Sequence, residues 1–128
     1  MSRPLRAIQG AKRFGRQDRY LPDRGDLVWL NFAPRTGHEQ SGKRPAMILS
    51  PAIYNRKTGL ALCCPITSQV KGYPFEVLLP ANCATHGAIL SDHVKNLDWR
   101  ARSASFIEKI SDDIVSQVVG KLSCLIKG

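Results

Sequence analysis

Apolar positions follow two different rhythms along this chain. Between residues 26 and 110 they come in short runs separated by Gly, Pro, Asn, Asp and Ser, the spacing of strands and turns. Leu21-Pro22-Asp23-Arg24-Gly25 reads as a turn, and Asp26 to Phe32 after it is rich in strand formers. Pro45 to Ser50, Leu60 to Thr67, Phe75 to Leu79, Ala88 to Leu90, Val94 to Trp99 and Ser105 to Ile110 predict further strands. Pro51 to Gly59 reads as a loop with room for one helical turn. From Ser111 the rhythm changes. Ile114, Val115, Val118, Val119, Leu122, Leu125 and Ile126 recur at helical spacing. Ser111 can cap that helix, Asp112 and Asp113 suit its positive end, and Lys127-Gly128 fits its close. The pattern predicts a mainly β fold with a C-terminal α-helix packed on a sheet or barrel.

Length and composition narrow the class. A chain of 128 residues suits one domain with one core, large enough to fold without disulfides or metal. No apolar run approaches the roughly 18 residues of a membrane span. The basic N-terminus lacks the apolar stretch of a secretory signal, which places the protein in the cytoplasm without membrane partners. Cys63, Cys64, Cys83 and Cys124 do not have paired zinc-ligand spacing. They read as small buried apolar residues in a reducing compartment.

Charge adds a partner class. The net charge is +9, which favours an anionic partner, most often nucleic acid. Residues 1–19 hold six cations against Asp18 alone and show no apolar period. They predict a flexible basic extension ahead of a domain over 20–128. That arm is either an RNA contact or a segment without function.

Familiar catalytic signatures are missing: there is no nucleophile elbow, phosphate loop, zincin motif or dinucleotide fingerprint. His38, His86 and His93 have no ligand spacing, and the ten acidic residues are scattered. No metal or cofactor is expected. The unusual feature is Gly37-His38-Glu39-Gln40-Ser41-Gly42-Lys43-Arg44-Pro45, which packs a carboxylate, two cations and an amide between two apolar strands.

That loop, together with Pro22-Asp23-Arg24-Gly25-Asp26-Leu27-Val28-Trp29 before it, closely resembles the MazF/PemK toxins of bacterial toxin–antitoxin modules. The resemblance continues through Leu49-Ser50-Pro51, Tyr54-Asn55, Lys57-Thr58-Gly59, Pro65 to Gln69 and Lys71 to Val77. It ends with Asp92-His93-Val94-Lys95 and Asp98 to Arg102, and covers about residues 20–128 in the family's order. It implies a small SH3-like or CcdB-like barrel of bent antiparallel strands and a homodimer. It implies cleavage of single-stranded RNA, chiefly mRNA, at short motifs, leaving 2′,3′-cyclic phosphate and 5′-hydroxyl ends. The RNA's own 2′-hydroxyl is then the nucleophile, so neither a metal nor a nucleophilic side chain is needed. It further implies inhibition by a MazE-like antitoxin with an acidic tail, whose carboxylates can mimic phosphates in a basic groove. The alternative is a gyrase-targeting toxin of the related CcdB fold, which would not need Arg44 or Thr67.

In-line attack builds negative charge on phosphorus oxygens, which a fixed cation stabilises. Arg44 matches the family's catalytic arginine; a guanidinium is always charged and binds phosphate bidentately. Its pKa above ~12 makes it a poor base, so its expected role is electrostatic. Thr67 matches the family's catalytic threonine and can donate a hydrogen bond to the phosphate. Glu39 either orients Arg44 or acts as base, with a plain loop ion pair as the other reading. Single strands are read by loops through stacking and exposed base edges. The expected RNA contacts are His38, Gln40, Lys43, Tyr54, Asn55, Lys57, Ser68, Gln69, Lys71, Asp92 and His93. Trp29 and Trp99 read as core or dimer-interface residues.

Overall fold

The computed structural model describes residues 19–32 and 42–127. The extension before Arg19 and the loop holding His38, Glu39 and Gln40 lie outside the described residues. Among the described residues, seven strands and two helices follow in the order β1 (Asp26–Asn31), β2 (Lys43–Ile48), α1 (Ala52–Thr58), β3 (Leu60–Thr67), β4 (Glu76–Leu78), β5 (Ala88–Leu90), β6 (Lys95–Asp98), β7 (Ser105–Lys109) and α2 (Asp112–Lys127). Every pairing is antiparallel, in the sheet order β4-β5-β3-β2-β1-β7 with β6 added to β3. The predicted strands are all present.

Strand alternation divides the apolar side chains between two cores. Leu27, Met47, Cys64, Ile66, Val77 and Ile89 face α2, where Ile114 and Val118 close over them. Val28, Leu30, Ala46, Ile48, Ala61 and Cys63 face the other way, beneath Trp99 and Ala104, with Tyr20, Leu21 and Phe32 packed at the margin. Each fully buried aliphatic side chain contributes about 1.5–3 kcal/mol relative to exposure. Ser111 caps α2 as its sequence predicts, with its Oγ accepting from the Ile114 amide at 3.4 Å. No helix among the described residues is long and apolar enough to cross a membrane.

The segment Pro51–Gly59 is more helical than its sequence predicts. α1 runs seven residues, and Pro51 offers no side-chain cap. The cap comes from Asp23, whose Oδ1 accepts from the Ala52 amide at 2.8 Å. A cap supplied from 29 positions away leaves no local signal.

The first described residues are also tied down. Tyr20 donates from its hydroxyl to Asp26 Oδ2 at 2.5 Å, and Lys109 Nζ stands 3.0 Å from Asp26 Oδ1. Burial pushes the Asp26 carboxyl above the usual carboxylate range despite these partners. The cysteines and tryptophans divide. Cys63 and Cys64 are buried as expected, and burial pushes their thiols up to about 11 and about 12. Cys124 instead lies on the exposed side of α2, and Cys83 is half-buried. Trp99 is core, whereas Trp29 is 43% exposed.

Candidate active site

The site begins with strand register. β2 and β3 pair Ile48 with Cys63, Met47 with Cys64 and Ala46 with Pro65. Continuing that register by two residues on each strand brings Arg44 level with Thr67. Alternation puts Arg44 on the same face as Ala46 and Ile48, and Thr67 on the same face as Pro65 and Cys63. Both therefore belong to the Trp99 face of the sheet, at the end where β2 and β3 part.

Each is positioned by a different neighbour. Arg44 pairs with Leu30 of β1 and is exposed. Among the described residues no side chain or carbonyl pairs with its guanidinium. The Phe32 amide donates to the Gly42 carbonyl at 2.9 Å, closing the neck of the loop that carries Glu39. Thr67 pairs with Ala88 of β5. Its Oγ1 accepts from the Gln69 amide at 3.0 Å, which occupies a lone pair and leaves the hydroxyl proton available to an incoming oxygen.

Gly87 explains how the chain can pass so close to Thr67. It adopts a φ of +123°, and a Cβ there would lie 2.0 Å from the Thr67 carbonyl oxygen. Any side chain would push the end of β3 away. Sequence reading missed Gly87, because nothing local marks which glycine faces the site.

The remaining candidates separate into groups. Lys43 is exposed but alternates to the opposite face from Arg44. Ser68, Gln69 and Lys71 are exposed on the loop that leaves Thr67. Asp92 and His93 occupy the turn from β5 to β6, with His93 Nε2 3.7 Å from Asp92 Oδ1 and both about half exposed. Tyr54 and Lys57 sit on α1, near the start of β3, where the Tyr54 hydroxyl accepts from Asn96 Nδ2 at 3.0 Å. At about 3.3 Å per residue, the two ends of β3 stand roughly 20 Å apart.

Asn55 is a correction. It is fully buried. Its Oδ1 accepts from Ser50 Oγ at 2.6 Å, and its Nδ2 donates to the carbonyls of Pro22 at 2.8 Å and Ser50 at 3.0 Å. Its own carbonyl accepts from Trp99 Nε1 at 3.0 Å. A buried amide saturated from within has no group left to read a base. Among the described residues no three His, Cys, Asp or Glu side chains gather as a metal-binding group.

Comparison with known proteins identifies the family. The family model described as PemK-like, MazF-like toxin of type II toxin–antitoxin systems matches residues 23–126. The chain is 47% identical over 108 residues to the endoribonuclease toxin MazF of Escherichia coli K12, covering 84% of this chain and 96% of that protein. It is 32% identical to the endoribonuclease PemK of Escherichia coli over 81% of each chain. The crystal structure of MazF from Deinococcus radiodurans superposes with a TM-score of 0.77 at 53% identity, covering 85% of this chain and 99% of that one. A MazE–MazF complex from the same organism gives 0.75 at 50% identity, covering 84% and 96%. The chain belongs to the PemK-like, MazF-like toxin family of type II toxin–antitoxin systems.

Proposed function

We propose that this protein is a cytoplasmic endoribonuclease toxin that cuts single-stranded RNA at short motifs without a metal ion. What supports the reading is the β2–β3 register, which, continued two residues beyond the Ala46–Pro65 pair, brings Arg44 level with Thr67 on one face beside the exposed loop after β3. The RNA's 2′-hydroxyl attacks the adjacent phosphorus and gives up its proton to Glu39 or to water, and the 5′-oxygen leaves, taking a proton from water to become the 5′-hydroxyl. Arg44 neutralises the charge that builds on the non-bridging oxygens, and Thr67 donates a hydrogen bond to them. Glu39, three residues from the closed neck, orients Arg44 or takes the 2′-hydroxyl proton. The products are a 2′,3′-cyclic phosphate and a 5′-hydroxyl. The named relatives are endoribonucleases, and no observation favours a gyrase target.

Two partners complete the reading. The Deinococcus MazE–MazF complex supports an antitoxin partner; an acidic tail would compete with RNA for Arg44 and Lys71. A second copy of the chain is expected on the outer stripe of α2. Val115, Val119, Leu122 and Ile126 recur there at helical spacing, beside a groove also lined by Leu49, Leu62 and Arg24. The basic residues 1–19 are proposed to add phosphate contacts, which a chain starting at Tyr20 would lack.

The test is a long single-stranded RNA incubated with purified protein in EDTA. Discrete cuts ending in cyclic phosphate are expected, and a 2′-deoxy substitution at the cleaved nucleotide should abolish them. Uncut RNA with folded protein, or cleavage that survives the 2′-deoxy substitution, sinks the mechanism.

A further inference from the structure

The loop from Ser68 to Phe75 is largely exposed, yet it is braced from several sides. Glu76, the first residue of β4, turns its carboxylate back into the loop. Its Oε1 accepts from the Gly72 amide at 2.9 Å and the Lys71 amide at 3.2 Å, and its Oε2 from the same Lys71 amide at 3.3 Å. The Glu76 amide donates to the Tyr73 carbonyl at 3.1 Å, closing the turn on itself. From α2, Lys121 Nζ donates to the Pro74 carbonyl. At the other end the Gln69 amide is tied to Thr67 Oγ1.

These bonds have a common consequence. The carboxylate of Glu76 is engaged by backbone amides and not by the neighbouring ammonium. Lys71 has no ion-pair partner among the described residues, so its charge stays available to a phosphate. The loop's side chains Ser68, Gln69 and Lys71 point to solvent while its backbone is fixed. Charge-assisted bonds from a carboxylate to amides are among the stronger ones available at a surface. A loop that must read a base gains affinity when its shape is set before binding.

We propose that Glu76 is a positioning residue for base readout. Its carboxylate holds the Lys71–Gly72 backbone in one shape, at the end of the loop opposite the Gln69–Thr67 tie, and so determines which nucleotide is accepted beside Arg44 and Thr67. This rests on the endoribonuclease reading. The substrate class is unchanged; what Glu76 sets is selectivity among RNA sites.

The experiment compares wild type with Glu76→Ala and Glu76→Gln on one long RNA, mapping all cut sites and measuring KM and kcat at the preferred one. Amide hydrogen exchange at Lys71 and Gly72 is followed without RNA. Glu76→Ala should accelerate exchange at both amides and broaden the set of cut sites. It should also raise KM about tenfold while kcat stays within about twofold. Glu76→Gln keeps an acceptor oxygen and should recover most of the selectivity; it decides the matter if the alanine variant does not fold. A purely structural role would lower the unfolding midpoint and kcat together and leave the ratios between cut sites unchanged, which overturns the proposal. Unchanged exchange and an unchanged cleavage pattern overturn it as well. If wild type leaves RNA uncut, the endoribonuclease reading itself falls, an outcome distinct from either of these.

Discussion

At the α1 end of β3, Asn55 has every polar atom of its side chain bonded inside the protein, and Ser50, Pro22 and Trp99 meet around it. At the opposite end Arg44, Lys71 and Gln69 carry exposed polar side chains, while bonds to Glu76 and Thr67 hold the backbone around two of them. Both ends are polar and loop-like in sequence. The difference lies in which atoms are saturated. Where side chains are satisfied from within, the residue fixes the fold; where only the backbone is satisfied, the side chain remains available to a ligand. That contrast separates Asn55 from the proposed RNA contacts with which its sequence context groups it.

The sharpest way to break the comparison is to remove the central side chain at each end. Arg44→Ala should lower single-turnover RNA cleavage about 10²–10³-fold, the cost typical of losing one donor to a developing anion. Its midpoint in urea should not move, because the guanidinium has no partner among the described residues. Activity within tenfold of wild type would remove Arg44 from the reaction. Asn55→Ala should behave in the opposite way. It leaves the buried Ser50 hydroxyl and the Pro22 and Ser50 carbonyls short of partners, costing about 3 kcal/mol in urea unfolding. Cleavage by the molecules that remain folded should be close to normal. A stable Asn55→Ala protein with weak RNA binding would show that the sorting by saturation is wrong.

A milder comparison uses two lysines. Lys71 follows Thr67 on the braced loop, whereas Lys57 lies on α1 at the far end of β3. Binding of a short RNA that cannot be cut, such as a fully 2′-O-methylated strand, can be followed by fluorescence anisotropy across a salt series. Removing the cation from one phosphate of a single strand should reduce the log–log salt slope by about 0.7. Lys71→Gln should show that reduction and Lys57→Gln should not. Equal effects would mean that the RNA track runs the length of β3.

Much of this organisation is legible in the residues alone. Period-two runs mark the strands, and Ile114 and Val118 at helical spacing mark the face of α2 that closes the core. The motif around Arg44 and the residues after Thr67 point to the end of the sheet where the proposed site lies. What stays hidden depends on partners distant in sequence. Asp23 caps a helix that begins at Ala52. Asn55 is buried because Pro22 and Trp99 reach it from 33 and 44 positions away. Gly87 matters only because β5 brings it against Thr67. Local composition carries no trace of such pairings, since each residue is ordinary until the sheet register brings its partner near.

The smallest expected effect concerns Glu108, which combines features of both ends. It is a β7 carboxylate near water, yet its Oε1 accepts from the Ala84 amide at 3.1 Å and its Oε2 from the Thr85 amide at 2.9 Å. It thereby braces the segment that leads to Gly87. Burial is the largest single influence and raises its carboxyl, but the two amides, the Thr85 hydroxyl and the nearby His86 together outweigh it and hold the group below the usual range. A folded-state value below the unfolded one means that the ionised group favours folding. That contribution is complete above the ordinary glutamate value of about 4.3 and is lost as pH falls through the lowered value. Glu108→Gln should therefore unfold at slightly lower urea than wild type at pH 7, by less than about 1 kcal/mol because the group faces solvent. The gap should persist down to about pH 5 and narrow as the pH falls below the ordinary glutamate value of about 4.3. A gap that widens in acid would mean that the carboxylate is a burden to the fold, and that the Ala84–Thr85 segment is held by something other than Glu108.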